Sequence, residues 1–80
     1  MEWIEFSDKM PTLDAGKQVD IFFYAFGWAT FMRGMYTHYP EYPLRERLSE
    51  YNPERDKFHA WESSMPTHWM KCPDLPDNQD

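Results

Sequence analysis

The run Gln-Val-Asp-Ile-Phe-Phe-Tyr-Ala, Gln18 to Ala25, constrains the fold more than any other part of the chain. Val19, Ile21 and Phe23 fall on one side of an extended backbone, and Gln18, Asp20, Phe22 and Tyr24 on the other. This is the period of two that a strand imposes. The first side reads as core. The second begins polar and ends aromatic, so its far end is expected to be covered too. Phe26-Gly27 suits a tight turn. Trp28 to Tyr36 then returns, with Trp28, Thr30, Met32 and Tyr36 alternating against Ala29, Phe31, Arg33 and Met35. An antiparallel hairpin is expected, with Gly34 marking a bulge or a close backbone approach. A helix over Ile21 to Met35 competes, because Phe22, Phe26, Ala29, Met32 and Arg33 recur at helical spacing. Two glycines and several aromatic or β-branched residues favour the strands.

The rest of the chain supplies shorter pieces. Glu2 to Phe6 alternates and fits a short first strand or extended arm. Pro11 and Gly16 bracket a loop, and Asp14-Ala15-Gly16 is turn chemistry. Thr37 to Asp56 is irregular, because the residues before Pro40 and Pro43 are pushed into extended backbone. Pro43 suits the first position of a helical turn or two, with Leu44 and Leu48 on one face. Lys57 to Ser63 and Thr67 to Lys71 read as further strands, and Pro73 stops the last one. The expected class is α+β, mainly β: a small antiparallel sheet of three or four strands with one short helical segment. Residues 1–73 form a single small domain and residues 74–80 an acidic tail. Trp3, Trp61 and Trp69 are expected to knit the two ends together, and Phe23, Trp28 and Phe31 to fill the core.

At 80 residues such a domain has a thin core, burying about 60–65% of the surface its unfolded chain exposes. A single cysteine, Cys72, cannot form an internal disulfide, which suits a reducing compartment. Aromatic side chains, 19% of residues, supply the missing apolar area. The net charge of −6, without clustered Lys and Arg, disfavours direct nucleic-acid binding. It suits solubility, or a basic protein partner. The apolar run from Ile21 to Met32 is too short to cross a bilayer as a helix, and Met1 to Met10 is acidic, unlike a signal peptide. A soluble, intracellular protein is expected.

The two ends carry a recognisable pattern: Trp3-Ile4, Met10-Pro11, Gly16, Val19, Ile21, Trp61, then Thr67-His68-Trp69-Met70, Pro73 and Pro76. The chain resembles the small phage and prophage family catalogued as domain of unknown function number 551. The closing Thr-His-Trp-Met is the specific part. Phe22 to Asp56 does not match, and Lys71-Cys72-Pro73 replaces the family's usual Pro-Leu-Pro. The resemblance implies a phage or prophage origin and the cytoplasm of a host bacterial cell as the place of action. It carries no activity that transfers residue by residue.

Chemistry offers few constellations. His68 and Cys72 would lie about 13 Å apart along one strand face. No paired Cys or His spacing suggests a zinc site, and His38 and His59 would have to arrive through folding. Cys72 with a histidine could form a thiolate pair, but Pro73 follows directly and little chain remains to build a cleft. A metal- or cysteine-dependent enzyme is the disfavoured alternative, and no cofactor or metal is expected. The aromatic middle is the remaining feature. Tyr, Trp, Met and Arg are the residues enriched in interface cores. Arg33, Tyr36, Tyr39, Tyr42, Glu46 and Glu50 are therefore the candidate partner-binding residues. The expected function is a non-enzymatic phage-type protein that binds a host protein and inhibits or redirects it. An anti-defence role such as anti-CRISPR, or takeover of transcription, would fit. The alternative is an acidic mimic that occupies a host DNA- or RNA-binding groove through carboxylates such as Glu46, Glu50 and Glu54.

Overall fold

The Gln18–Ala25 run is paired on both of its edges. The computed structural model describes residues 2–73. They form one six-stranded antiparallel sheet in the order β1-β6-β2-β3-β4-β5. The strands are β1 (Ile4–Glu5), β2 (Gln18–Ala25), β3 (Met32–Thr37), β4 (Leu48–Asn52), β5 (Lys57–Ala60) and β6 (Pro66–Lys71). On one side of β2, Gln18 pairs with Thr37 and Phe23 with Met32. On the other, Ile21 pairs with Lys71 and Phe23 with Trp69. The expected acidic tail, residues 74–80, lies outside the described residues.

Several expectations need correction. The class is all-β, since the described residues contain no α-helix and the expected helical segment is a single 3-10 turn, Leu44–Arg47. The sheet has six strands, because Leu48–Asn52 leaves that turn as β4 and pairs Leu48 with Tyr36. The Leu44/Leu48 spacing mimicked a helical stripe. In fact Leu48 is a buried strand residue and Leu44 packs against the core from the preceding turn. The tight turn at Phe26-Gly27 is present, with Trp28 N–H donating to the Ala25 carbonyl at 3.2 Å, but β3 does not begin directly after it. Gly27 does take a left-handed conformation, at φ 86°. Beyond Phe23, however, β2 pairs with β6 instead of β3, with a register shift between Tyr24 and Ala25. The segment from Trp28 to Phe31 is thereby free to leave the sheet.

The two sheet faces differ. Ile21, Phe23, Ala25, Met32, Tyr36, Leu48, Trp61 and Trp69 are buried on one face together with Phe6. Met10, Leu13 and Leu44, from the segments between strands, pack over them. Indole N–H groups fasten this cover: Trp69 Nε1 donates to the Lys9 carbonyl and Trp61 Nε1 to the Ser64 carbonyl, both at 2.8 Å. Strand alternation sends Trp3, Phe22, Tyr24, Arg33, Tyr51, Phe58 and His68 to the opposite face. Trp3 thus stands apart from Trp61 and Trp69, contrary to expectation, and packs on Phe31 with ring centroids 5.7 Å apart. Trp28 and Phe31 are not core either, at 43% and 47% exposure. Trp28 leans on Trp61, and Phe31 on Trp3 and Phe22.

Gly34 is a close approach rather than a bulge. It is buried in β3, and a Cβ there would collide with the Ser49 carbonyl oxygen and with the Phe23 ring, 2.6 Å away. The absent side chain is what lets Phe23 lie across β3.

Candidate functional site

The six residues singled out from the sequence do not form one surface. Tyr36 is fully buried. Its hydroxyl lies 2.9 Å from His38 Nδ1 and accepts a hydrogen bond from the Arg47 guanidinium at 3.2 Å. Arg47 also donates to the Tyr42 carbonyl at 2.8 Å and to the Pro40 carbonyl at 2.9 Å. One guanidinium therefore ties the Pro40–Tyr42 turn to the buried phenol, a task suited to its planar fork of donors. Tyr36 is consequently a structural residue, withdrawn from any contact surface.

Tyr39 and Tyr42 are exposed and meet edge to face, 5.7 Å apart. Leu44 and Arg47 hold their segment over the covered face of the sheet. Arg33 lies on the opposite face, its guanidinium 4.7 Å from the centre of the Tyr51 ring. Glu46 is exposed on the 3-10 turn, whereas Glu50 is half-buried on β4, 3.6 Å from His59 Nε2. Glu50 is thus partly engaged, which weakens the row of carboxylates a phosphate mimic would use.

The uncovered face holds a more continuous surface than the one expected. Trp3, Phe31 and Phe22 form a chain of contacts at one end, with Phe22–Phe31 centroids 5.2 Å apart. Tyr24 and His68 stand beside them, 6.4 Å apart. Arg33 over Tyr51, and Tyr51 against Phe58 at 5.2 Å, continue the aromatic surface toward β5. Trp3, Phe31 and Phe58 remain 40%, 47% and 37% exposed, so no segment of the described chain covers them. A cleft of about 450 Å³ opens among Trp3, Tyr24, Ala29, Thr30, Phe31 and His68. The signal for this face was in the sequence: Phe22 and Tyr24 occupy the outward positions of β2.

Little of the remaining chemistry is assembled. Among the described residues, no group of three or more His, Cys, Asp or Glu comes together as a metal site. Cys72 is half-buried beside Asp20. Burial pushes its thiol above the ordinary range and the Asp20 carboxylate adds to that, with Arg33 opposing. A thiol so placed is a poor nucleophile at neutral pH. The Tyr51 phenol is also held above its ordinary value, first by its 2.6 Å hydrogen bond to Asp56, then by burial and the Asp56 charge, with Arg33 opposing. Asp56 itself adopts a left-handed backbone, φ 52°.

Comparison with protein-family models, with curated proteins and with solved structures finds no match to this chain. No helix among the described residues is long and apolar enough to cross a membrane.

Proposed function

We propose that this chain is a small phage-type binding protein that attaches to a basic surface of a host protein and inhibits or redirects it. One observation carries the reading: among the described residues, a single sheet has one face covered by its own loops and the other left as an open aromatic surface. An apolar surface of this kind is unfavourable in water unless something else covers it. Its residue types, Trp, Tyr, Phe, Met and Arg, are those of interface centres. Charge supports a basic partner. The net charge is −6, and the acidic residues Glu5, Asp20 and Asp56 fall on or beside the open face, where Arg33 is already engaged with Tyr51. The closing Thr67-His68-Trp69-Met70, with its phage-family resemblance, supports a bacterial host.

Capture from host lysate by the immobilised chain tests this. The wild-type chain should retain a basic protein. Trp3→Ala combined with Phe31→Ala should lose it, because interface-centre aromatics cost about 2 kcal/mol or more on truncation. Tyr39→Ala combined with Tyr42→Ala, on the other side of the sheet, should retain it. Equal capture by the Trp3/Phe31 variant would remove the basis for this reading.

A further inference from the structure

The cleft at one end of the open face has a chemistry more specific than an apolar patch. Trp3 and Phe31 form one wall, at an interplanar angle of 59°. Tyr24 and His68 form another, at 61°. Ala29 and Thr30 complete the lining. Aromatic faces carry negative quadrupole density, so tilted aromatic walls favour a cation between them.

The hydrogen bonds behind the cleft bear on what His68 offers. Thr67 Oγ1 lies within donating reach of the Tyr24 carbonyl, at 3.3 Å. The same oxygen lies 2.8 Å from His68 Nδ1. When Oγ1 gives its proton to that carbonyl it accepts from Nδ1, and in that tautomer the proton of the ring sits on Nδ1. Nε2 is left as an acceptor on a ring that lines the cleft. In that tautomer the cleft combines aromatic faces with an acceptor for an N–H group. Glu5 sits directly across from His68 in the β1–β6 pairing and biases this end of the sheet toward positive ligands.

We infer that this cleft is the socket for a cationic side chain of the basic partner, arginine in particular. The inference rests on the reading of the chain as a binder of a basic protein, and it names the group that enters. Arginine fits best because its planar guanidinium can stack on a ring while donating to Nε2. The same sheet face already holds a guanidinium against an aromatic ring, Arg33 over Tyr51.

The test needs no partner, so its outcome is independent of lysate capture. The ¹⁵N-labelled full chain is titrated with Nα-acetyl-arginine amide, the lysine analogue, and the neutral citrulline analogue, which has similar length and retains N–H donors. Saturable shifts are expected at the Trp3 indole N–H and at the Phe31 and His68 amides. Citrulline should bind roughly three- to fivefold more weakly than arginine, the size of a partly exposed cation–π contact. Phe31→Leu should weaken arginine by a similar factor and leave the dispersed spectrum of the folded sheet intact. Lysine binding tighter than arginine would overturn the preference for a guanidinium. Equal binding of citrulline and arginine, shifts centred elsewhere, or no saturable shift would overturn the socket. If arginine binds here but lysate yields no basic partner, the socket stands and the binding-protein reading fails.

Discussion

At Gly34 the sheet leaves room for a hydrogen and nothing more, because the Ser49 carbonyl and the Phe23 ring occupy the position of a Cβ. Both obstacles are rigid, one being backbone and the other a core ring. Gly34→Ala should therefore destabilise the fold by about 2–4 kcal/mol, read by urea denaturation, well beyond a typical surface change. Arg47 presents a different kind of constraint, three donors on three acceptors. Arg47→Lys keeps the charge and loses the fork. A loss of about 1–2 kcal/mol is expected in the same assay. Cys72 should react with iodoacetamide more slowly than free cysteine at neutral pH, because burial and Asp20 raise its pKa. Tyr51 can be followed by phenolate absorbance. Its folded pKa is raised above 10.0, so its contribution to stability is complete below that pH and is lost as pH rises through the raised value. Asp56→Asn removes the carboxylate charge and weakens the hydrogen bond, and should bring the transition down toward the ordinary value.

Among the elements, β2 was readable and β4 was not, and the difference is physical. β2 is paired on both edges and carries strict alternation over its length, so its hydrophobic pattern is unambiguous. In β4 the same alternation places only Leu48 among the buried residues, and Pro43 with the Leu44/Leu48 spacing suggested a helix instead. The closing strand at Thr67 to Lys71 was legible, and Pro66 extends it by one residue at the paired end. The candidate site was only partly legible. Periodicity assigned Phe22, Tyr24 and Arg33 to one face of their strands. It could not say that the loops would settle on the other face, leaving this one bare and drawing Tyr36 inside. Hydrogen exchange should report the same hierarchy. Amides of β2 should exchange most slowly, and those of the wholly exposed edge strand β5 among the fastest. Comparable protection of β5 in the isolated chain would mean that its edge is covered.

For the whole molecule, the organising fact is asymmetry between the two faces of one sheet. Chain length explains part of it. The loops available before β2 and after β3 are enough to cover one side with Met10, Leu13 and Leu44. The uncovered side keeps its aromatics, with Trp3 and Phe31 packed on each other while both remain exposed. Differential hydroxyl-radical footprinting, on the chain alone and in complex with its captured partner, shows which face of the sheet the partner covers. Alone, Trp3 and Phe31 should be labelled strongly, with Trp61 and Trp69 protected. In the complex, Trp3 and Phe31 should become protected while Tyr39 and Tyr42 remain as reactive as before. Unchanged labelling of Trp3 and Phe31, with new protection at Tyr39 and Tyr42, would put the partner on the loop-covered side and rule out the aromatic face as the binding surface.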